Sequence, residues 1–167
     1  DALELVEALP GVDLAYLDPP YNQHRYFTNY HVWETLMRWD EPPHYGIACK
    51  RLDARDEQTR SKFNSKRDMP AALRSVIERT KAEVLVVSYN NEAWVTPAEM
   101  TTWLHDAGHT DVRIFGFDSK RYVGAQIGIH NPAGVKVGAV SHLRNTEYLF
   151  VAGPAALVEA ASRVVAG

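Results

Sequence analysis

The chain has 167 residues, of which 46% are hydrophobic and 23% charged, and its formal net charge is −3. This composition is typical of a globular domain with a sizeable core, and the slightly acidic balance argues against a nonspecific nucleic-acid binder. The longest apolar runs, such as VLVV at 84–87, are no longer than a strand, so the sequence predicts no membrane-spanning helix. The single cysteine, Cys49, excludes an internal disulfide and leads us to expect a reducing, cytoplasmic setting.

The first predicted elements are a helix and a buried strand. Apolar residues at 2, 5, 6 and 9 recur at helical spacing and predict a helix over 2–10, which Pro10 and Gly11 end. The apolar stretch DLAYLD at 13–18 then predicts a short strand that ends on an acid, Asp18.

A long aromatic-rich segment, residues 22–67, separates this strand from the next long helix. A connection of this length is either functional or disordered. Its many aromatic rings argue against disorder, and its sequence predicts one helix near 29–39. We expect Trp33 and Trp39 to belong to the core rather than to stack on a ligand.

The remaining chain alternates between helix and strand. Thr96, followed by Pro97 and Glu99, predicts a capped helix start, and Gly108 predicts the end of that helix. In chain order, the predicted elements are helix 69–80, strand 83–91, helix 96–108, strand 111–118, a loop-rich link 121–145 with a short hairpin at NPAG, strand 147–153 and helix 154–166. This alternation predicts an α/β fold with a mainly parallel sheet.

Two polar stretches follow predicted strands, LDPPYN at 17–22 and SYNN at 88–91. Parallel sheets bind ligands at the carboxyl ends of their strands, so DPPY marks a candidate site. SYNN is expected to be a strand-end turn rather than a catalytic element.

The tetrapeptide DPPY presents two hydrogen-bond acceptors and a ring in a restrained backbone. Asp18 offers a carboxylate, and Pro19, which has no N–H, offers its carbonyl. Each of the two is restrained by the proline that follows it, Pro19 and Pro20 respectively. A primary amine or amide, with two hydrogens on one nitrogen, suits two converging acceptors, and the ring of Tyr21 can stack on a planar group. Adenine, cytosine and a glutamine amide all satisfy this description.

The sequence around this motif resembles a known enzyme family. The stretch YLDPPYNQHRYFTNYHVWETL at 16–36 resembles the Dam-like adenine-N6 DNA methyltransferases, which use S-adenosylmethionine. VLVVSYNNEA at 84–93 is similar to the family's next strand and turn, and 116–151 to its closing strand hairpin with a DNA-facing loop. The resemblance covers nearly the whole chain.

The resemblance implies roles for the DPPY residues in catalysis. Asp18 would accept one hydrogen of the adenine amino group and the Pro19 carbonyl the other, so that the nitrogen lone pair can attack the methyl group. Tyr21 would stack on the base after it has left the duplex. Tyr26 and Phe27 would help to hold the base.

The resemblance also implies double-stranded DNA as the partner, and the charge pattern offers contacts. Between Lys50 and Lys81 there are ten Lys or Arg residues and five acids, so this part carries a charge of about +5. The segment 22–67 is therefore the candidate DNA-contacting region. The expected contacts to DNA or to the target base, besides Tyr26 and Phe27, are Asn22, Arg60, Lys62, Lys66, Arg67, Lys120 and Arg121.

The match to the family is incomplete at the cofactor site. The sequence contains no glycine-rich strand and turn of the FxGxG kind, and the resemblance leaves only Asp1 and Asp18 to contact the cofactor. We therefore expect residues 1–167 to be the C-terminal part of one methyltransferase domain. They would supply strands 4, 5, 7 and 6 of a Rossmann-like sheet of order 3-2-1-4-5-7-6, with a long insertion after strand 4. The N-terminal cofactor half would be a required partner.

Other functions stay open at this point. An RNA or protein-glutamine methyltransferase is one alternative, although those enzymes more often carry Asn in place of Asp18. An inactive remnant that binds DNA or a partner subunit is another. We expect no metal site, because the histidines have no zinc spacing and His105 and His109 lack further ligands. An active enzyme would work in the cytoplasm, at the nucleoid.

Overall fold

The structure is a computed structural model that describes residues 1–20, 25–120 and 144–166. Lys120 and Ala166 are described by their backbone alone. The predicted link with its NPAG hairpin therefore lies almost entirely outside the described residues, as do Tyr21, Asn22 and Arg121.

The chain folds into a sheet half and an insertion. The sheet half contains α1 (Ala2–Ala8), β1 (Val12–Leu17), α4 (Met69–Arg79), β4 (Ala82–Asn90), α5 (Pro97–Asp106), β5 (Asp111–Lys120), β6 (Arg144–Gly153) and α6 (Ala155–Ala166). The insertion, residues 25–67 as described, contains α2 (Tyr26–Asn29), α3 (His31–Arg38), β2 (His44–Tyr45), β3 (Lys50–Arg51) and three short 3-10 turns (Leu52–Arg55, Glu57–Thr59 and Lys62–Asn64). The predicted helices and strands of the sheet half are confirmed to within a few residues at their ends.

The four long strands form one sheet in the order β1-β4-β6-β5. β1 and β4 are parallel, with Leu17 opposite Val87. β6 is antiparallel to both of its neighbours and pairs Glu147 with Asn90 of β4 and with Phe117 of β5. The α/β prediction is confirmed, but a mainly parallel sheet is only partly right. Three strands share a direction, yet β6 lies between β4 and β5, so β1–β4 is the one parallel pairing in the described part of the chain.

Helices cover both faces of the sheet. On one face α4 and α5 enclose the main core, in which Leu73, Met100 and Phe150 are almost completely buried. On the other face Val158 of α6 packs against Val84 and Val151. The apolar residues of the central strands are therefore buried from both sides, which explains why the stretch at 84–87 reads as a continuous apolar run.

The start of α5 follows the predicted capping pattern. The Thr96 hydroxyl accepts a hydrogen bond from the Glu99 backbone N–H at 3.2 Å, and the Glu99 carboxylate accepts one from the Thr96 N–H at 2.8 Å. Pro97 occupies the first turn, where its missing N–H costs nothing. Beyond the helix, Gly108 has a φ of +99°, a conformation that glycine adopts without strain. Among the helices of the described residues, none is long and apolar enough to cross a membrane.

The insertion is organised around a buried arginine. Arg51 is 2% exposed and donates to both carboxylate oxygens of Asp40, at 2.6 and 2.9 Å, and to Asp53 at 2.8 Å. It also donates to the Thr35 hydroxyl of α3 at 3.2 Å. These bonds tie α3, the β2–β3 hairpin and the following 3-10 turn together.

The two tryptophans of the insertion do not enter the core, so that prediction is wrong. Trp33 is 64% exposed and Trp39 is 85% exposed. Trp39 ends α3 in the left-handed conformation, with a φ of +52°. Helical spacing gave α3 an apolar face, but in the described structure no neighbouring element covers it, and the face stays at the surface.

Candidate functional site

Asp18 lies at the edge of the sheet where β1, β4 and β5 end and β6 begins. It is the first residue after β1, and its exposed carboxylate accepts a hydrogen bond from the Ser88 hydroxyl of β4, with Ser88 Oγ 2.8 Å from Asp18 Oδ1. Because β1 and β4 are parallel, with Leu17 opposite Val87, Ser88 lies in β4 just past the end of β1. The Ser88 bond fixes the orientation of the carboxylate.

The chain enters the protein interior at the two prolines that follow Asp18. Pro19 is buried and Pro20 is half-buried, while Asp18 itself is exposed. A rigid and buried Pro19 anchors the peptide immediately after the carboxylate, so the backbone at the candidate site has little freedom. The structure thus brings the first three residues of DPPY to the sheet edge, and Tyr21 lies outside the described residues.

Aromatic rings lie near this carboxylate. The pKa of Tyr26 is raised above its ordinary value, first by burial and then by the negative charge of Asp18. The Tyr26 ring stacks on that of Tyr30, with 5.8 Å between ring centres and an angle of 20° between ring planes. Phe27, on the next position of α2, is half-buried. The charge of Asp18 thus acts on Tyr26, so the stacked rings of Tyr26 and Tyr30 are assigned with Asp18 to one candidate site.

The sheet edge also holds polar residues that sequence reasoning missed. Glu147 of β6 has its pKa raised, mainly by burial and further by the charges of Asp18 and Glu92, although hydrogen bonds from Ser119 and Asn90 oppose that shift. The Ser119 hydroxyl lies 3.5 Å from the Glu147 carboxylate, and Asn90 is 8% exposed. In the sequence, Glu147 stands near the start of one apolar strand and Asn90 at the end of another. Only the pairing of β4 with β6 shows that these two residues meet.

Asp1 has a structural role of its own. Its carboxylate accepts a hydrogen bond from the Leu3 backbone N–H at 2.8 Å and thereby caps α1. The cofactor contact that the resemblance assigns to Asp1 stays a prediction.

The predicted basic contacts differ in how their charge is compensated. Arg60, Lys62, Lys66 and Arg67 are all exposed. Arg67 is bound to the neighbouring Asp68 at 2.9 Å, whereas the nearest carboxylate of Arg60, on Glu57, is 3.8 Å away. Lys120 ends β5, where its side chain is not described, and Arg121 lies outside the described residues.

Within residues 1–20, 25–120 and 144–166, no three His, Cys, Asp or Glu side chains come together as a metal site would require. His105 and His109 meet through the His105 ring and the His109 carbonyl, 3.0 Å apart. Burial and the neighbouring His105 lower the pKa of His109. The two histidines thus form a local contact at the C-terminal end of α5.

A carboxylate, two rigid prolines and aromatic rings at the carboxyl end of parallel strands mark an α/β protein with a candidate ligand site at the sheet edge. Residues 1–103 match the family model described as "D12 class N6 adenine-specific DNA methyltransferase". The chain belongs to this family, whose members use S-adenosylmethionine in general. The matched range contains Asp18 and the whole insertion.

Individual relatives carry the same kind of name. The chain is 31% identical over 123 residues to the type II methyltransferase M.FokI of Planomicrobium okeanokoites, covering 73% of this chain and 18% of that protein. It is 32% identical over 106 residues to modification methylase StsI of Streptococcus sanguinis, covering 64% and 16% of the two chains. It is 30% identical over 112 residues to the type II methyltransferase M.NlaIII of Neisseria lactamica, covering 67% and 32%. The chain thus spans at most about a third of these relatives. No solved structure matches it.

Proposed function

We propose that this chain is the part of a DNA methyltransferase that holds the target base while a methyl group is moved from S-adenosylmethionine to the N6 amino group of a flipped adenine. The observation that carries the proposal is the position of Asp18. Its carboxylate stands at the end of β1, oriented by Ser88 and close to Tyr26, in a chain that belongs to the adenine-specific family.

The chemistry of this site follows from its acceptors. Asp18 and the Pro19 carbonyl each accept one hydrogen of the amino group, which draws the nitrogen lone pair out of conjugation with the ring. S-adenosylmethionine, when bound, supplies the methyl group that this lone pair attacks. The Asp18 bond strengthens as positive charge develops on the nitrogen, so the carboxylate stabilises the transition state more than the ground state. The nitrogen then loses its proton to solvent, and no strong base is needed.

The base must leave the duplex to reach this site, because its amino group is otherwise paired. Tyr21 and Tyr26 supply rings on which the flipped adenine stacks, a contact worth about 1–3 kcal/mol per base. Phe27, which is half-buried, helps to hold the base, and Asn22 adds a polar contact beside it. The insertion thus serves as the DNA-facing part of the site, and double-stranded DNA is the substrate.

We further infer that the rest of a methyltransferase polypeptide covers the open face of β1. In the described sheet β4 is the only partner of β1, and Leu14 and Tyr16 on one face of β1 are 59% and 57% exposed. Apolar side chains in a row on an unpaired edge strand are suited to be covered by further structure. The order β1-β4-β6-β5 is also the order in which strands 4, 5, 7 and 6 lie in the full methyltransferase sheet. Most contacts to the cofactor would then come from the portion that covers β1, which agrees with the short span of the relatives that this chain matches.

Product analysis tests this proposal directly. The full-length protein that contains this chain is incubated with methyl-labelled S-adenosylmethionine and, separately, with duplex DNA, RNA and a protein mixture. We expect label in DNA only, recovered as N6-methyladenine after digestion to nucleosides. Label in cytosine, in RNA or in a glutamine side chain would replace the proposed substrate, and no label in any of them would overturn the enzymatic role.

A further inference from the structure

The cations of the insertion fall into two groups. Arg51 is buried and donates hydrogen bonds to Asp40, Asp53 and Thr35. Arg67 is bound to Asp68, and this hydrogen bond, together with the charge of Asp68, raises the pKa of the guanidinium. Charges that are already neutralised in this way gain little from a phosphate, because the carboxylate partner must first be displaced or left beside the incoming anion.

A second group of cations surrounds an open depression of about 480 Å³ between α2, the β2–β3 hairpin and the first 3-10 turn. Its lining consists of Arg25, Thr28, Asn29, Tyr45, Lys50, Ala54, Arg55 and Arg60. A smaller depression of about 340 Å³ continues from it and shares Arg25 and Arg60 with it. The two together form a groove along one side of the insertion.

The larger depression has an uncompensated positive charge. None of its lining residues is acidic, and four of them are Arg or Lys. Arg25, Lys50 and Arg55 make no ion pair with a carboxylate of the described residues, and Arg60 has one only at 3.8 Å. Thr28 and Asn29 add neutral hydrogen-bond donors. Cations together with neutral donors are the groups that contact phosphate oxygens in nucleic-acid complexes.

Arg55 is the cation of the depression that a side-chain contact holds in place. The Arg55 guanidinium lies over the Tyr45 ring, 3.8 Å from its centre, in a cation–π contact. Lys50 is the β3 partner of Tyr45 in the hairpin, next to the anchored Arg51. Side chains that are ordered before binding lose less conformational entropy when a ligand arrives. Arg55 is therefore partly ordered before an anion binds.

α2 connects this depression with the candidate base site. Tyr26 is the first residue of α2, and Tyr30, one helical turn later, follows its last residue, so that the two rings stack. Burial and the negative charge of Asp18 raise the pKa of Tyr26. Arg25 and Asn29, also one turn apart, line the depression from the adjoining face. We propose that the depression formed by Arg25, Lys50, Arg55 and Arg60 binds backbone phosphates of the DNA strand that carries the flipped base, and that Arg67 contributes little. This inference rests on the proposed function, because it takes the base site to be occupied by a nucleotide.

The salt dependence of DNA binding tests the assignment. In the full-length protein, Arg25→Gln, Lys50→Gln and Arg55→Gln are combined, and the affinity for an adenine-containing duplex is measured by fluorescence anisotropy between 50 and 200 mM salt. The logarithm of the affinity falls linearly with the logarithm of the salt concentration, and loss of three phosphate contacts should make this slope shallower by up to about 2.7. Raising salt from 50 to 200 mM then weakens parental binding roughly 40-fold more than it weakens binding by the variant. The double variant Arg25→Gln/Lys50→Gln leaves the Arg55–Tyr45 contact intact and should lower the slope by about 1.8.

The matched control removes the same number of charges from ion pairs on α4 and α6. Arg74, Arg79 and Arg113 are each bound to a glutamate, the last to Glu159 of α6, so the combined Arg74→Gln, Arg79→Gln and Arg113→Gln variant should keep the parental slope, as should Arg67→Gln. A parental slope in the depression variants, with DNA binding and methylation intact, would overturn the phosphate site and leave the proposed function standing. A parental protein that binds no DNA at any salt concentration would overturn both.

Discussion

The sheet half and the insertion hold their shapes by different means. In the sheet half, Leu85 and Phe150 are completely buried in a core that α4 and α5 close. In the insertion, Trp39 and Ile47 are 85% and 84% exposed, and the most buried side chain with many partners is Arg51. The sheet half is therefore sensitive to changes in volume, and the insertion to changes in charge. The difference shows that within one small chain one region can be held by a buried ion-pair network rather than by an apolar core of its own.

The largest expected effect on stability is in the core of the sheet half. Phe150→Ala removes a completely buried ring from the central strand β6, and we expect a loss of about 3–5 kcal/mol in the free energy of unfolding. Trp39→Ala removes a larger ring from the surface of the insertion and should change the free energy by no more than about 0.5 kcal/mol. Chemical denaturation of both variants measures this difference. Equal losses would mean that the insertion has an apolar core that the structure does not show.

Close packing of the sheet predicts an intermediate effect at Gly153. A Cβ atom there would lie 2.8 Å from the Glu83 carbonyl oxygen, a backbone atom that cannot move aside. Gly153→Ala should therefore destabilise the protein by about 1–3 kcal/mol. Gly116→Ala on β5 is the matched control, since its nearest neighbour would be the Thr146 side chain at an ordinary 3.5 Å. A neutral Gly153→Ala would indicate that β4 and β6 pack less tightly than described.

Loss of the central charge should affect the insertion alone. Arg51→Gln removes the bonds to Asp40 and Asp53 and leaves two carboxylates side by side. Amide hydrogen exchange in α3 and the β2–β3 hairpin should become faster, while exchange in β4 and β6 stays slow. Arg38→Gln is the control, because Arg38 is half-exposed and bound mainly to Glu34 within α3. Faster exchange throughout the sheet would show that the two regions are one cooperative unit.

A smaller effect is expected from pH. Hydrogen bonds from Arg51 lower the pKa of both Asp40 and Asp53 in the folded state. Their contribution is therefore complete above the ordinary carboxyl pKa of about 4 and is lost as pH falls through the lowered values. The NMR signals of Trp33 and Trp39 should stay unchanged from pH 7 to 5 and shift below about pH 4, before the signal of the buried Trp103 changes. In the Arg51→Gln variant, the Trp33 and Trp39 signals should depend less on pH. An unchanged pH dependence would show that it does not arise from the bonds of Arg51 to Asp40 and Asp53.

The sheet half was predictable because its signals are local. Helical periodicity and the Thr96–Glu99 capping pattern place their elements within a few residues, and a strand followed by DPPY places Asp18 at a sheet edge. The expected order of the strands came from the resemblance and not from local patterns, since no local pattern states which strand pairs with which. For the same reason sequence alone did not place Ser88 on Asp18 or Glu147 beside Asn90, because those contacts depend on register.

The insertion was the less predictable region for a physical reason. Its two-residue strands and 3-10 turns carry almost no periodicity, and its stability depends on Arg51 meeting acids 11 positions earlier and two later in the chain. An exposed aromatic face on α3 has the same sequence pattern as a buried one, which is why Trp33 and Trp39 were assigned wrongly to the core. The charge count over 50–81 found the basic region but could not separate Arg67, which is bound to Asp68, from Arg55, which makes no ion pair with a carboxylate of the described residues.

The most direct test of the central claim is the single-turnover rate of methyl transfer by Asp18→Ala in the full-length protein. Loss of the carboxylate removes a charged acceptor worth on the order of 2–4 kcal/mol in the transition state, so the methyl-transfer step should slow roughly 30- to 1000-fold. Affinity for S-adenosylmethionine should stay near the parental value, and Ser88→Ala, which removes one hydrogen bond to the carboxylate, should slow the step less. A parental rate of methyl transfer in Asp18→Ala would contradict the role assigned to this residue.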